Sequence, residues 1–333
     1  MAARAFGQKN RLQRRVQQLT SQREFLRYHV SKVLTETPWL RFPAVEPSSD
    51  RRPDGQRSPR EIVLIVSDWQ IGKMENGVGI QTFLDYRFPR IVEATLAILD
   101  RVRASGHPVT KIHVVADGDM IEGCFIYAGQ NVTGLDRQHN SHRLIKQIHT
   151  TAQLLARLVH ELSRYVDSVE VHSVPGNHGR TNGKNDFSDP EDNFDTMVTF
   201  WARDICSNLE NVTWDISEGW FGTFKVFGHS IVAQHGDAWS GPVHKLESLL
   251  PQWVTGNVFG VRPDLVITGH RHSFCTFEVN GIQVVQNGTA DGGSLWYTRA
   301  YGRSSRPIQT VIVSSPDRVV EDLCPIFLDE NEQ

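Results

Sequence analysis

The chain has 333 residues, of which 39% are hydrophobic and 22% charged. That mixture suits a packed globular core and excludes a disordered or low-complexity chain. Net charge is −3, yet residues 1–60 hold thirteen Lys and Arg against five Asp and Glu, a net +8, which leaves −11 for residues 61–333.

A basic arm on an acidic body suits an anionic partner, and charge alone fits a solvated helix equally well. No apolar run approaches the ~18 residues of a membrane span, so no membrane partner is expected. The start, MAARAFGQKNRLQRR, lacks the apolar stretch of a secretory signal. The four cysteines (Cys124, Cys206, Cys275 and Cys324) form no C-x-x-C pair. Free thiols in a reducing cytoplasm are the expectation.

In chain order, residues 8–34 read as a helix. Leu12, Val16, Leu19, Leu26, Val30 and Val33 recur at spacings of four and three, with Arg23 in one seam position. This heptad stripe is about three repeats long and suits self-association into a homo-oligomer, or packing on its own domain. The whole of 1–42 is read as a basic helical arm. Residues 43–60 (PAVEPSSDRRPDGQRSPR) are a linker by composition, so a body is expected over 61–333.

From Glu61, strands and helices alternate. Strands are expected at Glu61–Ser67, Lys111–Ala116 and Ser168–Val174, each apolar and rich in β-branched residues. Helical periodicity runs over Phe83–Ala104, His139–Tyr165 and Asp192–Asn208. Beyond residue 212 short strands dominate: Thr223–Phe227, Ser230–Gln234, Leu265–Thr268, Phe274–Val279, Gln283–Gln286 and Gln309–Val313. An α/β fold of two facing sheets with helices outside accommodates both halves.

Five polar clusters follow, or nearly follow, those strands: Ser-Asp68-Trp-Gln70, Gly118-Asp119-Met-Ile-Glu122, Gly176-Asn177-His178, Gln-His235-Gly and Gly269-His270-Arg-His272. Strand ends present carboxylates from rigid backbone, and the adjacent glycines allow close approach. Taken singly, Asp68 or His235 reads as a turn or core residue. The ordered set supplies enough Asp, Asn and His for two divalent ions side by side, an arrangement suited to phosphate esters. Outside the clusters His113, His142, His149, His160, His172 and His244 read as structural groups.

The clusters resemble the motifs of calcineurin-like metallophosphoesterases: Asp-x-His, Gly-Asp-x-x-Asp, Gly-Asn-His-Asp/Glu, a lone His, and Gly-His-x-His. The match spans residues 68 to 272. It implies a four-layer αββα sandwich, here with the N-terminal helical arm added. It also implies that Asp68, Asp119 and His272 hold one ion. Asp119 would bridge to a second held by Asn177, His235 and His270, with His178 standing free beside the scissile phosphate.

Three departures stand out. Gln70 replaces the His of the first motif. As a ligand through its carbonyl oxygen it would favour Mn²⁺ or Mg²⁺ over Zn²⁺; alternatively it holds a metal-bound water. Glu122 replaces the Asp that orients the free His. Gly123 stands where protein phosphatases carry a phosphate-clamping Arg, which points away from that activity, and Arg180 is an alternative clamp.

The implied reaction is in-line attack by a metal-bridging hydroxide, with His178, oriented by Glu122, as general acid. The Asp-Trp-Gln and Gly-Asn-His-Gly-Arg variants are similar to phage-encoded phosphoesterases grouped with SbcD-type nucleases, for which the compartment would be the host cytoplasm. Residues 295–306 (LWYTRAYGRSSR) interleave aromatics with arginines and suit nucleic acid, or an ordinary surface hairpin. A DNA or RNA nuclease is therefore expected. A small-molecule or nucleotide phosphatase on the same fold, and a non-catalytic binding scaffold, are the alternatives.

Overall fold

The computed structural model describes residues 57–74, 79–124, 126–127, 130, 135–137, 141–182, 189–238, 245–291 and 306–329. The helical arm 1–42, most of the linker and nearly all of 295–306 lie outside the described residues.

The first sheet has the order β11-β10-β1-β2-β3-β4. Its centre is β1 (Arg60–Val66), β2 (Val109–Asp117), β3 (Ser168–Val174) and β4 (Val212–Ile216), mutually parallel. β10 (Ile308–Ser314) runs antiparallel to β1, and β11 (Asp322–Phe327) closes the edge. The run Ile62–Val66 is wholly buried, as a parallel strand covered on both faces requires.

The second sheet comprises β5 (Gly222–Val226), β6 (His229–Ala233), β7 (Leu265–Thr268), β8 (Cys275–Val279) and β9 (Ile282–Gln286), ordered β5-β6-β7-β9-β8. Val63, Ile65 and Val115 of the first sheet share one core with Ile231, Leu265 and Ile267 of the second. The sheets therefore pack face to face.

Helices cover the outside. A helical segment opens at Ile80–Thr82, passes through a π-helical turn at Phe83–Arg87 and continues as α1 (Phe88–Ala104). α2 spans Leu144–Ser163 and α3 spans Phe194–Ile205. α1 packs on β1 and β2, α2 on β3, and α3 on β3 and β4. On the far side α4 (Leu246–Thr255) packs Leu246 and Leu250 against Val232, Val266 and Val284. The four layers are helix, sheet, sheet, helix, as expected.

Four elements depart from the sequence reading. β4 and β11 were not anticipated because one is short and half-exposed, while the other carries Pro325, which only an edge strand tolerates. α4 contains Pro251, which breaks the expected helix signal. The helix expected from His139 begins instead at Leu144, because Arg143 is extended. No helix among the described residues is long and apolar enough to cross a membrane.

The segment after β1 is pinned by Trp69, which is 1% exposed and meets Phe83 at 5.2 Å and Phe88 edge-on at 6.2 Å. Trp69→Ala is expected to lower unfolding free energy by about 3–5 kcal/mol. Urea denaturation measures this, and an unchanged midpoint would show that the ring does not anchor the segment.

Candidate metal centre

The five clusters converge at the C-terminal ends of the parallel strands, where α/β sheets commonly present ligand sites. The loops after β1 and β2 run side by side. Asp68 N–H donates to the Gly118 carbonyl (3.0 Å), Gln70 N–H to that of Asp119 (3.0 Å) and Glu122 N–H to that of Ile71 (3.1 Å). The loop after β3 is pressed against them: a Cβ on Gly118 would lie 2.7 Å from Gly176, and one on Gly176 would collide with Asp119. Gly269 N–H donates to the His235 carbonyl (2.9 Å), which joins the loops after β6 and β7.

Five candidate ligands hold left-handed backbone without being glycine: Asp68 (φ 51°), Gln70 (44°), Asp119 (50°), His270 (65°) and His272 (55°). Among the described residues only three other non-glycines do so. Such conformations cost on the order of 1–3 kcal/mol each and cluster where function over-determines them.

The side chains form two adjoining groups. Ligand atoms of Asp119, His235 and His270 all lie within 4.8 Å of one another. Asp119 Oδ2 faces His235 Nε2 at 2.9 Å, and the His235 and His270 rings meet edge to face at 5.2 Å. In the second group Asp68 Oδ1 faces His272 Nε2 at 3.3 Å. Asp68 Oδ2 is occupied by the Ser67 hydroxyl (2.7 Å) and the His270 N–H (3.1 Å). Asp119 Oδ1 accepts the His178 N–H (2.7 Å). His235 Nδ1 lies 2.7 Å from the Asp117 carbonyl, so it carries the proton and turns Nε2 towards Asp119.

Among the described residues, four buried atoms of these groups find no partner outside the cluster: Asp68 Oδ1, Asp119 Oδ2 and His235 Nε2, the last two facing each other, and Asn177 Oδ1 in the loop after β3. Buried polar atoms are normally satisfied. Acceptors of this kind, on Asp, Asn and His, fit divalent cations.

The electrostatics agree with that fit. Although burial opposes the charge on Asp119, His235 and His178 hold its carboxyl below the usual carboxylate range. Burial likewise opposes a charged His235, but Asp119 raises it well above its ordinary value. Burial and the adjacent His235 push His270 well below its own. The buried carboxylates thus gather protons where cations are absent.

His178 stands beside the two groups. Its Nδ1 lies 2.9 Å from the Glu122 carbonyl and 3.3 Å from Glu122 Oε2, so Nε2 faces the centre, 3.9 Å from Asp119 Oδ2. Burial opposes its charge, but Asp119 and Glu122 lift it to about 9. Glu122 is itself fixed by the Tyr127 hydroxyl (2.8 Å) and Gln130 Nε2 (2.9 Å).

Gln70 is turned so that its oxygen accepts from Lys73 Nζ (2.9 Å), while its nitrogen lies 3.3 Å from His272 Nε2 and 3.5 Å from His178 Nε2. The orientation of such an amide is assigned from its partners. Arg180 pairs with Asp237 at 2.7 Å, and Asp237 is two residues beyond His235, whose charge it helps to favour.

Several residues at the centre had no signal in the motif pattern. Asp195, buried in the first turn of α3, accepts N–H from Asp119 (2.9 Å), Met120 (3.1 Å) and Gly176 (3.0 Å), and so ties two ligand loops together. Burial and the charge on Asp119 push its carboxyl up to about 6. Asn193 caps α3 through the Asp195 N–H (2.8 Å) and donates to the Gly176 carbonyl (2.9 Å). The Asp-Asn-Phe-Asp sequence at the start of α3 is a capping signal that could have located this pair, and the motif reading did not use it. Lys73 also pairs with Asp291, which lies 3.6 Å from His272 Nδ1.

No protein-family model matches the sequence, and no curated protein does. Solved structures are similar at low identity. An archaeal phosphodiesterase aligns at 14% identity over 80% of this chain and 99% of its own, with a TM-score of 0.36. Zinc-complexed Vps29 from Entamoeba histolytica aligns at 14% identity over 80% and 99%, with a TM-score of 0.35. A predicted phosphoesterase from Streptococcus pneumoniae aligns at 10% identity over 81% and 99%, with a TM-score of 0.33. Likenesses this distant say nothing of chemistry, which rests on the side chains above.

Metal loading should depend on pH. Below its raised value His235 holds a proton that an incoming ion must expel, so affinity rises with pH. The expected change is about tenfold per pH unit for each proton displaced. Calorimetric titration with Mn²⁺ between about pH 6 and about pH 8, in buffers of different ionisation enthalpy, reads both affinity and proton release. Binding that is independent of pH would place the ions elsewhere.

Proposed function

We propose that the chain is a metal-dependent phosphoesterase that hydrolyses phosphodiester bonds, with nucleic acid as its substrate. The observation that carries this reading is the set of buried ligand-type atoms that, among the described residues, find no partner outside their own cluster, Asp68 Oδ1, Asp119 Oδ2, Asn177 Oδ1 and His235 Nε2, with His178 beside them. The order of the five clusters, which resembles that of calcineurin-like metallophosphoesterases, supports it.

Asp68, Asp119 and His272 would hold one ion, and Asp119, Asn177, His235 and His270 the other. The mixture of carboxylate, amide oxygen and imidazole suits Mn²⁺ ahead of Mg²⁺. Bound there, two divalent ions supply Lewis-acid activation of water and neutralise charge at the phosphoryl oxygens. Gln70 contributes through its oxygen once its amide turns away from Lys73, or it positions water through its nitrogen.

The remaining steps belong to the protein. Because the Glu122 carbonyl takes Nδ1–H, the proton that His178 delivers sits on Nε2, facing the leaving oxygen. Cations at Asp119 would cancel part of that carboxylate's pull and bring His178 down from about 9 towards the working pH. Arg180 clamps a phosphate by leaving Asp237.

For nucleic acid, the support is the basic segment 1–60 and the half-exposed Tyr127 ring, centred 6.5 Å from that of His178, which offers a face for stacking a base. A second reading is a small-molecule or nucleotide phosphatase, but the cavity beside Gln70, lined also by Trp69, Lys73, Phe83, Arg87 and Asp291, is only about 20 Å³, room for a water and not for such a substrate.

Asp119→Ala is expected to abolish turnover. His178→Ala should slow it by ~10²–10⁴-fold while Mn²⁺ still binds. The assay is purified protein with Mn²⁺ against single- and double-stranded DNA, RNA, bis-p-nitrophenyl phosphate and p-nitrophenyl phosphate. Cleavage of p-nitrophenyl phosphate alone would replace the nuclease reading by the phosphatase one. Mn²⁺ binding without any turnover would leave a binding scaffold.

A further inference from the structure

A second convergence of metal-type donors lies away from the centre just described. His113 is on β2, Glu170 and His172 are on β3, and their donor atoms fall within 4.8 Å of one another. His113 Nδ1 is 3.2 Å from His172 Nε2 and 3.4 Å from Glu170 Oε2, and His172 Nε2 is 3.9 Å from that same oxygen. A tetrahedral zinc with bonds of 2.0–2.1 Å separates its ligands by about 3.4 Å. The first two separations match such an edge, and the third, 3.9 Å, is somewhat wider.

The outer nitrogens are committed elsewhere. His113 Nε2 lies 2.9 Å from Glu61 Oε2, and His172 Nδ1 lies 3.2 Å from Asp215 Oδ2. Each carboxylate takes the N–H of its imidazole. In the neutral rings this leaves lone pairs on His113 Nδ1 and His172 Nε2 pointing at one another, with Glu170 Oε2 the third acceptor. Three acceptors facing one point repel unless a cation, or a proton, sits among them. The pattern of a carboxylate behind each histidine is also the one that fixes and strengthens imidazole ligands.

The rest of the surroundings fits an ion. Lys111 Nζ donates to Glu170 Oε1 at 2.5 Å, which leaves Oε2 directed at the rings. Burial opposes a charge on Glu170, but Lys111 and the two imidazoles keep its carboxyl below the usual range. Burial lowers His172, which favours the neutral form a metal needs. Phe224 of the second sheet stacks on His172 at 3.8 Å and 10°, so the ring cannot swing away. Glu170 is 31% and Asp215 59% exposed, which opens one side to an entering ion and to water as a fourth ligand.

We propose that His113, His172 and Glu170 form a separate site for one Zn²⁺, with Glu61 and Asp215 as the carboxylates behind the two histidines. The ion would fasten β2 to β3 where the two sheets meet. Its role is structural, and it takes no part in the phosphoester chemistry.

The test uses the full chain carrying Asp68→Asn and Asp119→Asn, which disables the candidate catalytic centre. After stripping with EDTA, loading with Zn²⁺ and desalting, this protein should retain about one Zn²⁺ per chain. Co²⁺ in its place should give the intense visible bands of a four-coordinate ion. Adding His172→Gln should remove the bound metal, with circular dichroism checking the fold. Asp215→Asn, at an exposed position that spares the core, should weaken Zn²⁺ by about 10–100-fold. In the otherwise unaltered chain, His172→Gln should lower the zinc content and leave Mn²⁺-dependent turnover in place. A background protein that retains no Zn²⁺, or an affinity unmoved by both His172→Gln and Asp215→Asn, would overturn the proposal and leave a pair of histidines sharing a proton.

Discussion

The structure is organised around buried ligand-type atoms that crowd one another. Among the described residues, Asp68 Oδ1, Asp119 Oδ2, Asn177 Oδ1 and His235 Nε2 find no partner outside their own cluster, and two of them belong to carboxylates that are wholly inaccessible. Leaving one such group unsatisfied costs on the order of 1–3 kcal/mol, and more when it is charged. Five of the surrounding residues add left-handed backbone to that cost. A sequence that only needed to fold would have placed apolar or paired groups here. Cations completing the cluster would recover that energy, and the depressed Asp119 and elevated His235 are the same tension expressed as protonation.

Holding that cluster together is a backbone problem, and the sandwich solves it at strand ends. Parallel β1, β2 and β3 bring three loops to one edge of their sheet, and β6 with β7 brings two more from the facing sheet. Close approach between the loops after β2 and β3 requires that residues 118 and 176 have no side chain. Asp195 then substitutes for a missing strand partner by accepting three main-chain N–H groups from those loops. Its own elevated carboxyl value reflects its burial first and then its nearness to Asp119.

Much of this was legible in the sequence because motif residues sit next to strand signals. The apolar runs at 61–67 and 168–174 are strong, so the loops that follow them are well placed, and Asp68 and Gly176-Asn177-His178 follow directly. The second sheet was read nearly strand by strand for the same reason. What escaped acts across the fold. Asp195 is an ordinary first-turn helix residue until its oxygens are seen to reach β2 and β3. Lys73 looks like a loop charge until it is found between Gln70 and Asp291. Gln70 itself could be read as a ligand by type, but the direction of its amide depends on Lys73, a partner that periodicity does not reveal.

The two histidine clusters show why the same kind of chemistry differs in legibility. Candidate ligands at the proposed catalytic centre lie in glycine-bearing loops, where a polar residue after an apolar run is conspicuous. His113 and His172 sit inside strands, alternating with valines, and read there as tolerated core polar groups. The register aligns His113 with Glu170, and Val115 with His172, so the two rings meet diagonally across neighbouring strands. Spacing within one strand carries no trace of that meeting. Glu61, one strand over, and Asp215, on the strand beyond, complete it only because β1, β2, β3 and β4 are parallel neighbours. A sheet can thus build a donor set from residues that are unremarkable in sequence, and register is the quantity that must be known before such a set can be recognised.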